Sequence, residues 1–238
     1  MQPILLRNLC KGFSLGEQFL PVLQGLNAEI SPNGITGIIG SSGCGKTTLL
    51  RILAGLEKPD AGEVCFPDQE TVGMVFQEPR LMPWLNCREN LAFGMRKPWD
   101  ESKIRSLLET VGLCGFEKAY PAQLSGGMQQ RCALGRTLAI DPAIILLDEP
   151  FAALDAFTRA DLQQELLSIQ ESSQKKMILV THDIEEALFL SDEIFVIGQG
   201  RITAHYTLPP GRPRDIQTEP FLTVRRSLRK RGNETGGK

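Results

Sequence analysis

The chain has 238 residues, of which 42% are hydrophobic and 23% charged, and its formal net charge is −2. This length can bury a substantial core, as one large domain or a domain with a sub-lobe, and the near-neutral charge excludes nucleic-acid binding through overall charge. No apolar stretch approaches the ~20 residues that a membrane-spanning helix needs, and the first residues lack the regions of a signal peptide. We therefore expect a soluble, cytosolic protein whose six cysteines are reduced packing residues.

The predicted elements, taken in chain order, alternate between strands and helices. Residues 3–30 are expected to form short strands around the turn-rich stretch KGFSLGEQ. Apolar runs then predict strands at 35–40, 71–77, 143–148 and 176–182 and in EIFVIGQ and RITAHY. Helical spacing is found at 47–56, in NCRENLAFGM, ESKIRSLLETVGL and TRADLQQELLSIQESS, and after Gly127. This alternation predicts an α/β chain with a mostly parallel sheet covered by helices and a helical lobe inserted at 78–141.

The last segment, residues 206–238, is rich in basic side chains. These are Arg225, Arg226, Arg229, Lys230 and Arg231. Such a cluster at a chain end is typical of a solvated, frayed tail, which is the interpretation we favour. The alternative is a contact with anionic lipid headgroups.

The stretch GSSGCGKT, from Gly40 to Thr47, matches the pattern G-x-x-x-x-G-K-[ST] in full and stands between a predicted strand and a predicted helix. In this pattern backbone N–H groups surround phosphate oxygens, Lys46 reaches the β- and γ-phosphates, and the Thr47 hydroxyl is a ligand of Mg²⁺. The alternative is a glycine-rich turn with a buried lysine. The candidate ATP-binding residues are Gly40, Ser41, Ser42, Gly43, Cys44, Gly45, Lys46, Thr47 and Thr48.

Polar side chains also follow several predicted strands. Asp148 and Glu149 come after the apolar run AIILL, at the edge where parallel sheets place their ligands. Asp148 is the candidate for holding Mg²⁺, and Glu149 for orienting or deprotonating the attacking water, a role that contributes roughly 10²–10⁴ in rate. His182 is expected at the same edge, near the γ-phosphate, and Gln77 is the candidate sensor of Mg²⁺ or water. The alternatives are a helix cap or surface pair for the two acids and an ordinary core or surface histidine.

A second candidate anion site lies in LSGGMQQR, residues 124–131. It places Ser125, Gly126 and Gly127 at the start of a predicted helix, where bare N–H groups, a hydroxyl and the positive end of the helix dipole favour an anion. One chain therefore carries two candidate phosphate sites that are far apart in sequence.

The whole set of motifs, in this order, resembles an ATP-binding cassette (ABC) ATPase. It comprises the phosphate loop at 40–48, Gln77, the signature LSGGMQQR, Asp148 with Glu149, Asp155 in ALDA, and His182. The resemblance covers nearly the whole chain and implies an α/β P-loop NTPase (RecA-like) fold in a single domain of residues 1–238. Its implied parts are a nucleotide-binding core with an N-terminal antiparallel β subdomain (1–77 and 142–205), an inserted α-helical subdomain (78–141) and a C-terminal tail (206–238).

The resemblance also implies a head-to-tail pair of domains, in which ATP lies between the phosphate loop of one copy and the signature of the other. Ser125, Gly126 and Gly127 then donate to the γ-phosphate across the interface, and Asp155 lies at that interface too. Phe13 stands where family members more often have a tyrosine, and its ring is expected to stack on adenine. The alternative for Phe13 is an ordinary strand anchor.

Within the family the chain resembles the separate ATPase subunits of importers, because it has no second cassette, coiled-coil insertion or membrane span. The phrases PRLMPWL, NLAFGM, EPFAALDAFTR and GRPRD resemble the nitrate/sulfonate/taurine branch. This implies a peripheral protein at the cytoplasmic face of the membrane, working with an identical or paralogous ATPase, permease subunits and a solute-binding protein, and not with nucleic acid. Pro83 and Trp84 lie where the family accepts its membrane partner; the alternative for Trp84 is a core residue of the helical lobe.

Two features depart from the family pattern. Met128 replaces a frequent glutamine, and AGEVCFPDQETVGM is several residues short, which predicts a trimmed hairpin. Two other functions stay open. The first is a soluble ABC ATPase acting on nucleic acid or ribosomes, which the basic tail supports. The second is a cassette that binds ATP without hydrolysing it. The second is disfavoured because every residue expected for hydrolysis is present.

Overall fold

A computed structural model describes residues 2–16, 18–67, 71–95, 100–211 and 214–235, without the side chains of residues 220 and 229–235. In chain order the elements are β1 (Ile4–Leu15), β2 (Gln18–Ile30), β3 (Ile35–Gly40), α1 (Lys46–Leu53), β4 (Ala61–Cys65), β5 (Val72–Val75), α2 (Cys87–Phe93), α3 (Glu101–Thr110), α4 (Gly126–Ala139), β6 (Ile144–Asp148), α5 (Ala156–Ser173), β7 (Lys176–Thr181), α6 (Ile184–Leu190), β8 (Glu193–Gly198), β9 (Arg201–Thr207) and α7 (Glu219–Thr235). The chain divides into two compact units: the first comprises residues 1–70 and 176–238, and the second comprises residues 71–175.

The first unit contains an antiparallel sheet in the order β2-β1-β4. The prediction of short strands around KGFSLGEQ was wrong, because β1 and β2 form one long hairpin in which Phe13 pairs with Leu20. Gly12 does not mark a turn: a Cβ there would overlap the ring of Phe19, so the glycine makes room for a neighbouring side chain. The trimmed hairpin was predicted for AGEVCFPDQETVGM, residues 61–74, of which 68–70 lie outside the described residues, so it stays a prediction.

The first unit also contains parallel strands in the order β7-β3-β8, with β9 antiparallel at the edge of β8. β7 and β8 are buried along their whole length, and β3 along all but its last residue, as expected for strands covered on both faces. Ile39 pairs with Thr181 of β7 and with Val196 of β8. The carboxyl ends of β3 and β7 are therefore level with each other.

The second unit has its own parallel pair, β5 and β6, in which Val75 pairs with Leu147. Helix α4 packs on β5 and on α2, α3 and α5. Its side chains also reach the end of β5, where Gln130 Nε2 donates to the Phe76 carbonyl oxygen at 3.2 Å. The helix that begins at the signature is thus fixed to the strand that leads to Gln77.

The segment after β9 is ordered in part as helix α7, so the interpretation as a frayed tail was wrong. Phe221 and Leu228 are buried in a cluster with Leu188 of α6 and with Val196. Arg225 forms an ion pair with Glu185 of α6. The burial of one helix face explains why these residues are held despite their charge. No helix among the described residues is long and apolar enough to cross a membrane.

A buried polar cluster lies at the amino ends of β7 and β8. Lys176 Nζ donates to the Asn33 carbonyl oxygen at 3.2 Å and to Thr36 Oγ1, and lies 3.8 Å from Glu193 Oε1. Glu193 accepts from Thr36 Oγ1 at 2.6 Å and from the Ser31 N–H at 2.9 Å. Burial lowers the pKa of Lys176 to about 8. Burial opposes ionisation of Glu193 as well, but hydrogen bonds from Thr36 and Ser31 hold its pKa below the usual value.

We expect Glu193→Gln to lower the free energy of unfolding by about 3–5 kcal/mol at pH 7, because the Lys176 cation would stay buried without its counter-charge. Lysine has an ordinary pKa of 10.5 and a folded pKa of about 8, so between these values the unfolded chain binds more protons and stability rises with pH. Glu193 raises the pKa of Lys176, so the folded variant should release the lysine proton at a lower pH than the wild type. Its stability then rises with pH over a wider range than that of the wild type, and the variant should recover part of its loss between pH 7 and 10. Urea unfolding across this range, with Lys176→Met as a control lacking the cation, measures the effect. An equal loss at pH 7 and pH 10 would contradict it.

Candidate active site

The first cradle is the loop between β3 and α1. Helix α1 begins at Lys46, its N-cap Gly45 has φ 105°, and no side chain caps its N-terminus. Lys46 is buried, and its Nζ donates to the carbonyl oxygens of Gly40 at 2.9 Å and Ser41 at 3.0 Å. Ser42 is exposed and Ser41, Thr47 and Thr48 are half-buried. The loop therefore presents uncapped N–H groups and hydroxyls around a centrally held ammonium group, as phosphate binding requires.

His182 lies beside the start of this loop. It follows the last residue of β7, Thr181, which pairs with Ile39, and Gly40 is the next residue after Ile39. Gly40, the last residue of β3, and His182, the first residue after β7, are thus neighbours at one sheet edge, and the imidazole is exposed. Within the first unit the structure brings His182 and the phosphate loop to one sheet edge, and the contact of His182 with the γ-phosphate stays a prediction.

The second unit brings Gln77, Asp148 and Glu149 together in the same way. Because Val75 pairs with Leu147, Gln77 leaves β5 at the level where Glu149 leaves β6. Asp148 is buried, whereas Glu149 is half-buried and Gln77 exposed. Glu149 has φ 45°, a left-handed conformation that costs a non-glycine residue roughly 1–3 kcal/mol. Such strain at the end of a buried strand is typical of a functional residue.

The second cradle is the N-terminus of α4. Ser125 is the N-cap and its Oγ accepts from the Met128 N–H at 3.3 Å. A Cβ on Gly127 would collide with Thr158 Cγ2, so the first turns of α4 and α5 lie side by side. Asp155 caps α5 and accepts from Thr158 Oγ1 at 2.6 Å, and hydrogen bonds from Thr158 lower its pKa. The signature and Asp155 therefore share one surface, linked through Thr158, whose role no sequence pattern indicated.

The distribution of carboxylates separates these two helices from the others. Five of the seven described helices have an aspartate at the N-cap or an acidic residue in the first turn, as favoured by the helix dipole. These five are α2, α3, α5, α6 and α7. Helices α1 and α4 have neither. The positive ends of the two helices that start at the cradles are thus left to an external anion.

Gly126→Ala separates the two glycines of the signature. A Cβ on Gly126 meets nothing within 4 Å in the chain, so alanine at this helical position should not reduce stability. We expect the melting temperature to be kept while ATP hydrolysis falls by about 10²-fold, because the added methyl group would displace the Gly126 N–H that is predicted to donate to a phosphate. The matched variant Gly127→Ala should lower the melting temperature through its collision with Thr158. Wild-type hydrolysis in a folded Gly126→Ala protein would show that no ligand approaches this glycine.

Cys44 lies in the phosphate loop but is buried, and its Sγ is close enough to Gly40 to obstruct a Cβ there. Burial raises the pKa of the thiol, which reduces its reactivity. We expect a bulky thiol reagent to modify Cys44 slowly near pH 7, to inhibit hydrolysis once attached, and to be excluded by ATP. The exposed Cys114 is the internal control for rapid labelling. Unchanged activity after confirmed labelling of Cys44 would contradict this expectation.

The loop after Gln77 presents Trp84 to solvent, with 70% of its surface exposed, so it is not a core residue of the helical lobe. Buried Asn90 holds this loop. Its Oδ1 accepts from the Met82 N–H at 2.8 Å and its Nδ2 donates to the Leu85 carbonyl oxygen at 2.9 Å. Sequence reasoning gave Asn90 no role, because only the folded loop reveals its partners. An exposed tryptophan on a braced loop is suited to bind a partner.

Comparisons with known proteins agree with this geometry. The family model described as ABC transporter matches residues 23–152. The aliphatic sulfonates import ATP-binding protein SsuB 2 of Pseudomonas syringae pv. tomato is 48% identical over 84% of this chain and 87% of its own length. SsuB of Bacillus cereus is 40% identical over 94% of both chains. A dimeric post-hydrolysis structure of the ATP-binding cassette MJ0796, bound to ADP and Pi, has a TM-score of 0.78 and 33% identity, covering 87% of this chain and 100% of its own. These likenesses confirm the predicted α/β fold class.

Proposed function

This chain belongs to the ABC transporter ATPases, and from that premise we propose that it binds and hydrolyses ATP to drive import of a small sulfonate-type anion through partner membrane subunits. The observation that carries the proposal is the pair of helix N-termini, α1 and α4, that lack any carboxylate at the cap or first turn. A single phosphate site needs one such helix. The described part of the chain has two such helices, α1 at the phosphate loop and α4 at the signature, which fits a protein that contacts ATP from two sides.

The first cradle is the proposed binding site for the triphosphate. Its N–H groups and Lys46 bind the phosphates, while the ring of Phe13 stacks on adenine. Thr47 and Asp148 are the proposed ligands of Mg²⁺, aided by Gln77; this set of oxygen donors fits the ion's preference. Among the described residues no cluster of three or more His, Cys, Asp or Glu side chains suits a metal, which agrees with an ion held largely by phosphate oxygens and water. When bound, Mg²⁺ neutralises phosphate charge.

Glu149 is the proposed general base. Its carboxylate orients the attacking water and takes its proton as the water oxygen bonds to the γ-phosphorus. The bond from that phosphorus to the β–γ bridging oxygen breaks, and ADP leaves with inorganic phosphate as the other product. His182 donates a hydrogen bond to the γ-phosphate and so marks its presence. The strained backbone of Glu149, at φ 45°, supports this assignment, since residues held in strained conformations cluster at functional sites.

The second cradle is proposed to act on the ATP bound to another copy of the chain. Ser125, Gly126 and Gly127 donate to its γ-phosphate, and Asp155 lies at the same interface. Two copies related by a two-fold axis form two equivalent sites in this way. The open space next to Gly126 and the dimer of the solved cassette MJ0796 support the arrangement. Hydrolysis removes one shared phosphate and thereby weakens the pair.

We propose that residues 1–238 act as one ATPase domain in which 78–141 form the helical subdomain. Pro83 and Trp84 on that part of the chain are the proposed contact with a permease, which would place the chain at the cytoplasmic face of the membrane. A solute-binding protein would deliver the anion outside. The SsuB relatives are named for the import of aliphatic sulfonates, which supports an aliphatic sulfonate, a class that includes taurine, over nitrate as the solute.

The proposal is tested by purifying the chain from mild-detergent extracts of its native membranes. We expect a polytopic membrane protein in equal amount. The complex, reconstituted in vesicles with its binding protein, should take up labelled alkanesulfonate only with ATP. A Trp84→Ala chain is expected to keep basal hydrolysis but no longer to co-purify with the membrane protein. Phe157→Ala, which removes another exposed aromatic side chain, should still co-purify with the membrane protein.

Co-purification of ribosomes or nucleic acid without a membrane protein would instead favour the soluble ABC ATPase. The structure adds no support for that alternative. Two of the basic residues that suggested it are engaged within the chain, Arg225 with Glu185 and Arg226 with Glu219. The side chains of residues 229–231 lie outside the described part of the chain. Uptake of nitrate in preference to alkanesulfonate would overturn only the choice of solute.

A further inference from the structure

A charged cluster of Lys11, Glu57 and Asp60 lies next to Phe13. Lys11 Nζ lies 5.3 Å from the centroid of the Phe13 ring and forms ion pairs with Glu57 at 2.9 Å and Asp60 at 3.0 Å. The lysine side chain is only 12% exposed, whereas Phe13 keeps 37% of its surface exposed. An ammonium group at this distance from a ring is attracted to it, so the cluster restrains the aromatic side chain while leaving part of it accessible.

The same strands connect Phe13 to the phosphate loop. Leu23 of β2 touches the loop so closely that a Cβ on Gly45 would lie 2.8 Å from its Cδ2. Leu23 pairs with Lys11, and Phe13 is two residues further along β1, about 7 Å at the usual rise of a strand. The ring is therefore placed at one end of the first cradle, where the base of a bound nucleotide is within reach.

Asp60 fixes the backbone immediately before Phe13. The pairing of β1 with β2 shifts its register between Lys11 and Gly12, and the Gly12 N–H donates to Asp60 Oδ2 at 2.8 Å. The N–H of Asp60 donates in turn to the Cys10 carbonyl oxygen at 2.8 Å. A single carboxylate thus satisfies the irregular backbone at Gly12 and the Lys11 ammonium.

We propose that Asp60 and Lys11 are positioning residues for the purine base of the nucleotide, acting through Phe13. This inference rests on the proposed stacking of Phe13 on adenine. Asp60 fixes the backbone at Gly12, immediately before Phe13, and Lys11 restrains the Phe13 ring. The aromatic face is therefore preorganised before the nucleotide binds. Preorganisation strengthens binding by reducing the entropy lost on association.

The charges of the cluster agree with this role. Gly12 and Lys11 hold the pKa of the Asp60 carboxyl below its usual range, and Glu57 and Asp60 raise the pKa of Lys11. Both groups are therefore ionised across the physiological range. Their partners among the described residues lie outside the phosphate loop and the strand ends with Glu149 and His182. The cluster should accordingly affect the binding of the base and leave the chemistry at the γ-phosphate alone.

The test measures KM, kcat and ligand binding for Asp60→Ala, Phe13→Ala and the double variant. We expect Asp60→Ala to raise the KM for ATP on the order of tenfold, as for the loss of a charged hydrogen bond, with kcat at saturation unchanged. Calorimetry with inorganic tripolyphosphate, which has no base, should show wild-type affinity. Asp60→Asn, which keeps an acceptor for Gly12, should restore part of the affinity. Glu63→Ala is the matched control, since it removes an exposed ion pair with Arg7 across the same strands.

The double variant decides the path of the effect. If Asp60 acts through Phe13, adding Asp60→Ala to Phe13→Ala should change KM no further. An equal increase in both backgrounds, or a loss of tripolyphosphate binding, would overturn the inference and show general damage instead. If Phe13→Ala raises KM and Asp60→Ala does not, only the positioning role fails. If Phe13→Ala itself leaves ATP affinity unchanged, the proposed stacking fails and the positioning role fails with it.

Discussion

Replacing Glu149 by glutamine should leave ATP binding intact and slow hydrolysis at saturating ATP by about 10²–10⁴-fold, the contribution of a general base. Glutamine has the same length and places the same strain on a backbone with φ 45°, so the fold should be unaffected. With hydrolysis blocked, ATP should hold two copies together. Single-turnover hydrolysis and analytical ultracentrifugation with and without ATP measure the two effects.

Glu109→Gln, on the exposed surface of α3, removes the same charge and should behave like the wild type. A Glu149→Gln chain that stays monomeric at saturating ATP would contradict the two-copy arrangement for the isolated subunit. Near-normal turnover would instead remove Glu149 from the chemistry. Glu149→Gly adds an independent check of the strain: it should be equally inactive yet more stable by about 1 kcal/mol, because glycine adopts positive φ without cost.

Replacing Lys46 by alanine should lower ATP hydrolysis by about 10²–10³-fold, the usual effect of removing one group that stabilises developing charge. Its ammonium is the only side-chain donor described for the carbonyl oxygens of Gly40 and Ser41, so nucleotide affinity should fall as well. Fluorescent ATP binding and steady-state hydrolysis measure the change. Thermal unfolding without nucleotide shows whether the variant stays folded without the Lys46 hydrogen bonds to the loop.

The exposed Lys58 provides the control, since Lys58→Ala removes an equal charge away from the loop. Normal ATPase activity in a folded Lys46→Ala protein would exclude the assignment of residues 40–48 as a phosphate cradle. Loss of tripolyphosphate affinity together with ATP affinity is expected here, in contrast to the Asp60 variant. The two variants therefore separate the phosphate and base ends of one ligand.

Sequence reasoning located the buried strands and the helices next to the motifs because their signals are local. The run ITGIIG ends at a glycine loop, and Ser125 caps the helix that LSGG predicted, so each boundary depends on a few neighbouring residues. The same reasoning placed Gln77, Asp148, Glu149 and His182 at strand ends. The strand register then explains which ends are level with each other. The end of β5 is level with the end of β6, and the end of β3 is level with the end of β7.

The features it missed depend on distant partners. Gly12 suggested a turn but serves the ring of Phe19 across the hairpin. Helix α7 was hidden by its basic residues, although Phe221, Val224 and Leu228 have the spacing of one helix face; their burial depends on α6. The inward side chain of Cys44 and the strained φ of Glu149 have no sequence signal, because tertiary packing determines both.

The presence of one cradle of each kind in every chain has a genetic consequence. If two inactive variants, Lys46→Ala and Gly126→Ala, are mixed, about half of the pairs contain one copy of each under random two-fold pairing. In the proposed two-copy arrangement, one composite site of such a pair combines both defects, while the other joins an intact phosphate loop to an intact signature. The mixture should regain up to about a quarter of wild-type hydrolysis, provided that each site hydrolyses ATP independently of the other. Two null alleles of one gene would then complement each other, whereas either allele alone would not.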